Sequence, residues 1–471
     1  MGPKSILMIA YYFPPEGNAA VYRPVRFLKG LVEKGWQARV ISCEPYGYER
    51  HDPALLEQLP SAAQVVRVRG RDPWRALQNR RRTETKKRLS GLSTEEARHA
   101  VAAHRVPWRS RLREWVRVVE SWVYRPDMAM PWIQPATQAS IDVCRRDPPN
   151  VIWATIGPLS AGLVAYRTSV ETGVPYVLDF RDPWGLEYYP HEIRRPAWAK
   201  KIDYRNMCRI FKEARSVVFM FESVAQAYLQ AFPGALEREK IHIIPNGFEG
   251  TVESFVHPPG NCCTVLYAGT LSTYRYDTLL EGLVQLKHRN PVQAAQLRML
   301  FVGEGLQQLA ERVVELDLRD MFEVRSPVPS AEVRHLQREA HALLVLGRMP
   351  GRTARDLVAG AKLFGYLQAG RPIIGIVPRD ETRRILSQVG SPLIADADSP
   401  AEVVAVFEQL LEAWRKRVLE RLVPNRAACD GYSSSRQIAD LVVALQKENV
   451  QGRAAVQASS MLLQRHSEVK P

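Results

Sequence analysis

The stretch SILMIAYYFPPEGNAAVYRPVRFLKGLVEKGWQARVIS (residues 5–42) reads as a strand, a helix and a second strand. Residues 5–10 form a continuous apolar run, which is typical of a parallel strand buried on both faces of a sheet. Apolar residues then recur at helical spacing until Gly35, a glycine of the kind that ends helices. Residues 37–42 resume the apolar pattern. The stretch therefore predicts a βαβ unit, from which doubly wound α/β sheets are built.

The same alternation of short apolar runs and amphipathic stretches continues along the chain. Further strands are predicted at residues 151–157, 175–180, 216–221, 241–247, 263–269, 297–305, 321–326, 342–347 and 371–377. About a dozen strands exceed what one doubly wound sheet normally holds, so we expect an α/β protein with two Rossmann-like domains of parallel strands.

The domain boundary is predicted in the Pro- and Gly-containing segment 245–260. The predicted units are an N-terminal domain over residues 1–245 with a basic amphipathic insertion at residues 65–130, a second domain over residues 246–430, a helix over residues 431–447 and a polar tail over residues 448–471.

Composition excludes several classes of protein. The chain has 471 residues, of which 46% are hydrophobic and 24% charged, as in ordinary globular proteins. Its six cysteines are scattered without a CxxC pair, which argues against a zinc site and a disulfide framework. No apolar run approaches the roughly 18 residues of a membrane span. We therefore expect a cytoplasmic protein, attached peripherally if at all to the inner face of the membrane.

The net charge of +15 is concentrated in one segment. Residues 65–120 contain 16 Lys or Arg and 6 Asp or Glu. Nucleic acid, an anionic membrane face and an anionic substrate are all partners that such charge attracts. No recognised nucleic-acid-binding motif accompanies the charge, and we expect no nucleic acid partner. Neither GxGxxG nor GxxxxGK[ST] occurs, which argues against a nicotinamide dehydrogenase and a P-loop NTPase.

Two stretches of the first half carry candidate site residues. The loop after the first strand contains Gly17 and leads into a helix that carries Arg23, an arrangement that suits an anion such as a diphosphate. The stretch VLDFRDPWG places Asp179, Arg181 and Asp182 at the end of a buried strand, where charge usually marks a site. The alternatives are an ordinary turn in the first case and a structural Asp–Arg pair in the second.

The second half adds cations and glycines at the ends of strands. YAGTLSTYRYD places Gly269 and Arg275 after one strand, and FVGEG places Gly303 after the next, where a nucleotide can lie against the backbone. Lys362 begins a predicted helix among apolar neighbours. The alternative for Lys362 is a surface lysine. PNG at residues 245–247 is a turn and a natural hinge.

A basic amphipathic helix is predicted within residues 107–125. Tryptophans beside arginines suit an anionic membrane interface, and the alternative is a helix packed on the domain with a solvated basic face. Its apolar face consists of Leu112, Trp115, Val116, Val119, Trp122 and Val123, and its basic residues are Arg109, Arg111, Arg113 and Arg117.

Taken in order, several stretches resemble the family 4 glycosyltransferases, which have the GT-B fold: two Rossmann-like domains facing across a cleft. The matching stretches are YYFPPEGNAAVYRPVRFLKGLVEKGW, PDMAMPW, DFRDPW, IIPNGF, VLYAGTL, LRMLFVGEG and AKLFGYLQAGRPII. The final GYSSSRQIADLVVAL looks like the helix that crosses back to the N-terminal domain. DFRDPW together with KLF-YL-AG-P resembles a subgroup of bacterial enzymes that assemble polysaccharides and cell-surface glycans.

The resemblance implies a retaining transfer of a sugar from a nucleotide-diphosphate donor to an acceptor hydroxyl without a metal or other cofactor. The implied partners are a nucleotide sugar and a glycan or lipid-linked acceptor. Arg181, Asp182, Arg275 and Lys362 are the implied catalytic residues, and Asp182 would orient a hydroxyl. The implied acceptor side is Asp179, Arg181 and Asp182. The implied donor-binding residues are Gly17, Asn18, Arg23, Gly269, Arg275, Gly303, Glu304, Lys362, Leu363 and Gly365.

The sequence departs from the family pattern at a pair of glutamates. The second of that pair, which holds the donor ribose, stands seven residues before the proline of G-x-P, and the corresponding residue here is Gly365. The place of the first is Leu357, and the adjacent Asp356 would point about 100° away on a helix. Two functions remain open: an active glycosyltransferase, or a GT-B protein without transferase activity that serves as a binding or partner subunit. Hydrolysis or epimerisation of a nucleotide sugar lacks a visible set of catalytic carboxylates or histidines.

Overall fold

The computed structural model describes residues 4–45, 51–70, 122–186, 188, 195–348 and 357–447, which form two parallel β-sheets flanked by helices. The predicted basic helix at residues 107–125 and the polar tail at residues 448–471 fall almost entirely outside these described residues, as does Asp356.

The first sheet contains seven strands among the described residues, in the order β3-β2-β1-β4-β5-β6-β7 and all parallel. Every residue of β1, β4 and β5 is buried, as expected where helices cover both faces. The order reverses between β1 and β4, and a crevice forms there at the strands' carboxyl ends. The strands are β1 Ser5–Ile9, β2 Gln37–Cys43, β3 Gln64–Val68, β4 Val151–Ile156, β5 Tyr176–Phe180, β6 Ser216–Phe219 and β7 Ile241–Ile243.

The second sheet contains six strands within the described part of the chain, in the order β10-β9-β8-β11-β12-β13. Its strands also pair in parallel, and its order reverses between β8 and β11. The strands are β8 Cys263–Ala268, β9 Leu297–Val302, β10 Phe322–Arg325, β11 Ala342–Leu346, β12 Ile373–Val377 and β13 Ile394–Asp396. Two doubly wound sheets confirm the predicted fold class.

Helices connect the strands and cover the sheets. Gly35 lies just beyond the end of the first helix with φ of +78°, so the predicted helix stop is confirmed, and Gly173 ends the third helix in the same way with φ of +72°. The helices are α1 Tyr22–Glu33, α2 Ile133–Arg146, α3 Ser160–Thr172, α4 Ala197–Glu213, α5 Glu222–Ala231, α6 Asp277–Arg289, α7 Pro291–Ala294, α8 Gln307–Glu315, α9 Ser330–Glu339, α10 Lys362–Gln368, α11 Glu381–Gln388, α12 Pro400–Arg415, α13 Arg426–Asp430 and α14 Ser434–Gln446.

The last helix, α14, packs on the first domain rather than on the second. Ile438, Leu441 and Leu445 are buried in one apolar cluster with residues of α1 and β1. The Gln437 side chain donates a hydrogen bond to the Pro245 carbonyl over 2.6 Å. The predicted return of the C-terminal helix to the N-terminal domain is therefore confirmed.

Close contact between α1 and α14 depends on Gly30. A Cβ added there would lie 2.4 Å from Cγ1 of Ile438, well inside van der Waals contact. We expect Gly30→Ala to lower the free energy of unfolding by about 1–3 kcal/mol despite the better helix propensity of alanine, because the added methyl overpacks the contact. Urea unfolding measures this change.

The double variant Gly30→Ala with Ile438→Ala provides the control. Removing the Ile438 side chain makes room for the new methyl, so the double variant should lose less stability than the sum of the two single variants. Additive losses would contradict direct packing of Gly30 on Ile438.

Candidate functional site

The carboxyl edges of the two sheets meet at a junction of hydrogen bonds. Ser223, in the first turn of α5 after β6, places its hydroxyl 2.8 Å from the Leu357 carbonyl and 3.0 Å from Oε2 of Glu381. The Leu357 N–H also donates to the Tyr188 hydroxyl over 3.1 Å. These contacts join the loop after β6 in the first domain to the approach to α10 in the second. A cleft between the two edges is the natural place for a ligand.

The first loop holds Gly17 and Asn18 at this edge. The Asn18 side chain accepts the N–H of Ala20 over 2.8 Å and caps the short helical turn Ala19–Val21 that precedes α1. Gly17 is half-buried beside it. The cap fixes the entry of the chain into α1. A ligand contact of Gly17 and Asn18 stays a prediction.

Arg23 and Asp179 form a buried ion pair. Nε and Nη2 of Arg23 donate to the two carboxylate oxygens of Asp179 over 2.9 and 2.8 Å. The guanidinium also donates to the carbonyls of Ile244 and Pro245, over 2.8 and 3.1 Å. Both side chains are at most 4% exposed. The structure thus gives Asp179 the structural Asp–Arg pair that we left open as the alternative, with Arg23 as its partner, and the expected donor contact of Arg23 and acceptor contact of Asp179 stay predictions.

Arg181 and Asp182 separate after β5. Arg181 turns inward, and its Nη2 donates to the Gly157 carbonyl over 2.7 Å. Desolvation lowers the pKa of Arg181 from its ordinary value, and the nearby Asp182 and Asp179 carboxylates oppose this shift. The Asp182 side chain is exposed at the carboxyl edge of the first sheet. Asp182 is therefore the member of the predicted acceptor side that a substrate can reach.

Asp127 is a half-buried carboxylate that we did not identify as a site residue, although it lies in the quoted PDMAMPW stretch. It accepts hydrogen bonds from the Ser160 N–H and hydroxyl over 3.0 and 2.6 Å and from the Ala129 N–H over 3.0 Å. Burial raises its pKa, and these hydrogen bonds oppose the increase. Asp127 caps the start of α3, two residues beyond the cis peptide bond between Gly157 and Pro158. Its place directly before Met-Ala-Met-Pro-Trp is the sequence feature that could have identified Asp127.

In the second domain, backbone approaches backbone at the ends of β8 and β9. Gly269 and Gly303 have φ of +134° and +152°, and a Cβ on Gly303 would lie 2.2 Å from the Gly269 carbonyl oxygen. Only glycine fits such a contact. The two predicted glycines therefore let the ends of β8 and β9 pack backbone against backbone.

Lys362 lies directly beside these glycines. Its Nζ is 3.7 Å from the ring centroid of Tyr267 and 4.2 Å from that of Tyr274. A Cβ on Gly269 would lie 3.2 Å from the same nitrogen. Nζ is buried and has no hydrogen-bond partner among the residues that the structure describes. Burial, assisted by the Arg348 charge, lowers the pKa of Lys362 to about 7.

A buried ammonium without an acceptor is unfavourable even between two aromatic rings, which contribute about 0.5–2 kcal/mol as cation–π partners. An anion that entered the cleft would supply the missing acceptor oxygens and hold the lysine in its charged form. The buried environment of Lys362 does not fit the alternative of an ordinary surface lysine.

Arg275 has a different environment. Its guanidinium is ion-paired with Asp398, and its backbone N–H donates to the Gly347 carbonyl over 2.9 Å. The pair is partly exposed, so a stronger anion can compete for the guanidinium. Arg348 is a cation that we did not identify as a site residue. It lies two residues after β11 and pairs in a β-bridge with Tyr274. Its place at the carboxyl end of a strand where the sheet order reverses is the sequence feature that could have identified it.

The remaining predicted donor-binding residues take three different positions. Glu304 is exposed on the loop after β9. The Leu363 side chain is fully buried in the core, and a donor contact of this residue stays a prediction. Gly365 is half-exposed in α10, and a Cβ built there meets no atom within 4 Å. Open space therefore lies where the family pattern places its ribose-binding glutamate.

The edge of the second domain is thus a cationic, glycine-lined surface that suits a phosphate-bearing ligand. The described residues contain no group of three or more His, Cys, Asp or Glu side chains that could hold a metal ion. Within the same residues, no helix is long and apolar enough to cross a membrane.

The two-sheet architecture matches known glycosyltransferase structures along most of the chain. The crystal structure of TarM aligns over 94% of this chain and 99% of its own, with a TM-score of 0.57 and 8% identity. Sucrose-phosphate synthase from Thermosynechococcus elongatus aligns over 97% of this chain and 100% of its own, with a TM-score of 0.51 and 12% identity. The chain has the GT-B fold.

Sequence comparison points to the same class. Residues 89–249 of this GT-B chain match the family model Glycosyltransferase Family 4. A D-inositol 3-phosphate glycosyltransferase from Frankia alni is 26% identical over 181 residues. That alignment covers 36% of this chain and 42% of the relative's length.

Because the ion pair between Arg23 and Asp179 is buried, we expect its removal to lower the stability of the protein. We expect Asp179→Ala to lower the free energy of unfolding by about 3–5 kcal/mol, because it leaves the Arg23 guanidinium buried without its carboxylate. Chemical denaturation measures this loss. The matched control is Lys416→Ala, which removes an exposed pair with Glu412 and should change stability by less than about 1 kcal/mol. Wild-type stability of Asp179→Ala would refute the structural role.

Proposed function

We propose that this GT-B chain is a glycosyltransferase that moves a sugar from a nucleotide-diphosphate donor to a glycan or lipid-linked acceptor hydroxyl with retention of configuration. The observation that carries the proposal is the buried Lys362 ammonium, which lies beside the backbone of Gly269 and has no hydrogen-bond acceptor within the described part of the chain. The donor diphosphate would lie there, against the second domain.

Departure of the nucleoside diphosphate is the step that this surface would assist. The bond between the sugar's anomeric carbon and the diphosphate oxygen breaks, and its electron pair leaves with the diphosphate. Lys362, with Arg348 beside it, would stabilise the negative charge that develops. The acceptor hydroxyl then bonds to the anomeric carbon on the face that the diphosphate leaves, and its proton passes to a diphosphate oxygen. No step in this scheme requires a metal.

The acceptor would lie against the first domain. Asp182 is exposed at that edge and would orient an acceptor or donor hydroxyl, while Arg181 and Asp127 hold the surrounding loops. A structure of TarM from S. aureus is described as a complex with fondaparinux, alpha-GlcNAc-glycerol and UDP, which is compatible with a cleft that takes a nucleotide and a glycan. With the DFRDPW resemblance, this supports a role in bacterial polysaccharide or cell-surface glycan assembly.

A second candidate is a GT-B partner subunit that binds sugars without transferring them. Its support is the absence of both carboxylates at Leu357 and Gly365 and the pairing of Arg275 with Asp398. Calorimetric titration with UDP-, GDP- and dTDP-sugars tests the first candidate. Donor binding followed by release of nucleoside diphosphate when acceptor is supplied would establish transfer. Binding to no nucleotide sugar would reject it.

Lys362 predicts a pH dependence of donor binding. Because its pKa is lowered to about 7, the ammonium is lost as pH rises through that value, and the free site binds an anion less well. Above this pH, a bound nucleotide sugar should draw a proton onto Lys362. Calorimetry in buffers of different ionisation enthalpy measures the uptake.

Lys362→Met should abolish that proton uptake and weaken donor binding by about tenfold or more, since a hydrogen bond to a charged group contributes about 1.5–3 kcal/mol. The control is Lys287→Met, which removes a lysine of α6 that is paired with Asp317. Unchanged proton uptake in Lys362→Met would show that another group titrates.

Gly365 allows a paired test of the open space beside α10. We expect Gly365→Ala to raise the free energy of unfolding by about 0.5–1 kcal/mol, because the new methyl meets no neighbour and alanine favours the helix. Gly365→Glu should strengthen nucleotide-sugar binding by about tenfold if its carboxylate accepts hydrogen bonds from the ribose. Loss of binding in Gly365→Glu, with Gly365→Ala unchanged, would show that the donor already fills this space.

A further inference from the structure

The solvent face of α4 is both aromatic and basic. Along this 17-residue helix, Trp198, Ile202, Arg205 and Arg209 follow one another at spacings of three or four, and Lys201 lies three residues after Trp198, so all five share one broad face. Trp198 is 50% exposed and Ile202 is 37% exposed. Large apolar side chains are usually more buried than this in a monomer, and here they stand among cations.

The apolar part of this surface extends beyond α4 onto residues 123–125, which precede α2 in the chain. Val123 is 58% exposed, and the Arg125 guanidinium lies over the Trp198 ring with Cζ 4.6 Å from the ring centroid. The indole thus combines contact with a cation and half-exposure to solvent. We call the surface formed by Val123, Arg125, Trp198, Lys201, Ile202, Arg205 and Arg209 the α4 face.

The charge of the α4 face is not neutralised locally. In the described part of the chain, Lys201, Arg205 and Arg209 form no ion pair. The acidic residues of α4 are Asp203, which is buried and paired with Arg195 over 2.5 Å, and Glu213 at its last position. The positive potential of this face is therefore available to an anionic partner.

We propose that the α4 face docks the protein on an anionic phospholipid surface. In this arrangement Trp198 and Ile202 enter the headgroup region, while Lys201 and Arg205 contact lipid phosphates. An indole and an aliphatic side chain flanked by cations on one helix face match the bilayer interface, which is apolar on one side and anionic on the other. Single-stranded nucleic acid would use the cations and the indole but gives no role to Ile202 and Val123.

The position of the α4 face links docking to the cleft. Trp198 stands in the first turn of α4, and α4 follows the loop that leaves β5 at the carboxyl edge of the first sheet. Docking would therefore bring the acceptor side, with Asp182, to the level of the lipid headgroups. A lipid-linked acceptor could then reach the cleft without leaving the bilayer.

The test is co-sedimentation of the full chain with vesicles of phosphatidylcholine and phosphatidylglycerol, compared with vesicles of phosphatidylcholine alone. Wild type should bind the anionic vesicles more tightly. Lys201→Glu with Arg205→Glu should weaken that binding by about tenfold or more, since each cation near an anionic surface contributes about a fivefold change. Trp198→Ala with Ile202→Ala should weaken binding to both kinds of vesicle and leave its salt dependence unchanged.

Matched controls come from exposed residues of the second domain. Arg289→Glu with Arg319→Glu repeats the charge reversal, and Val292→Ala removes an apolar side chain that is 73% exposed. Equal thermal unfolding temperatures show that all variants fold. Wild-type binding by both α4 variants, or equal losses in the controls, would overturn the proposal. So would a wild type that binds single-stranded RNA but not the vesicles. Because the readout is lipid binding, its failure is separate from failure of the transferase proposal.

Discussion

The buried pair of Arg23 and Asp179 is the interaction on which the arrangement of the first domain depends. Its partners come from three parts of the chain: α1, the end of β5, and the carbonyls of Ile244 and Pro245 that begin the passage to the second domain. An ion pair this well enclosed satisfies nearly all its hydrogen-bonding groups internally, which a buried charge requires. One guanidinium therefore fixes the strand edge that carries Asp182 relative to the segment from which the second domain departs.

The two sides of the cleft differ in how they use charge. On the first domain's side of the cleft, the side chains of Arg23, Arg181 and Asp127 form hydrogen bonds that hold loops and helix ends in place. Unlike these three, the Asp182 side chain is exposed. On the second domain, Lys362 lies between two tyrosine rings and has no hydrogen-bond acceptor among the described residues. The paired charges of the first domain and the unpaired ammonium of the second are consistent with the proposed position of the donor diphosphate.

Sequence periodicity predicted most of the fold. The central strands are continuous apolar runs because both of their faces are buried, and every strand that we predicted is present. Two edge strands were missed: β3, which is only half-buried, and β13, which has three residues. The site was harder to predict, because pairing is a three-dimensional property. Asp179 lies near Arg181, yet its hydrogen-bonded partner is Arg23, 156 residues away in the chain. Leu363 adjoins Lys362 but points into the core.

The return of α14 to the first domain has a consequence for synthesis on the ribosome. Ile438, Leu441 and Leu445 complete an apolar cluster whose other members lie in the first half of the chain. During translation from the N-terminus, the first domain therefore emerges with part of that cluster facing water. The second domain, whose strands are contiguous in the chain, can close its own core earlier. The N-terminal half thus reaches its final packing last, and until then it is the part of the nascent chain that most needs protection from aggregation.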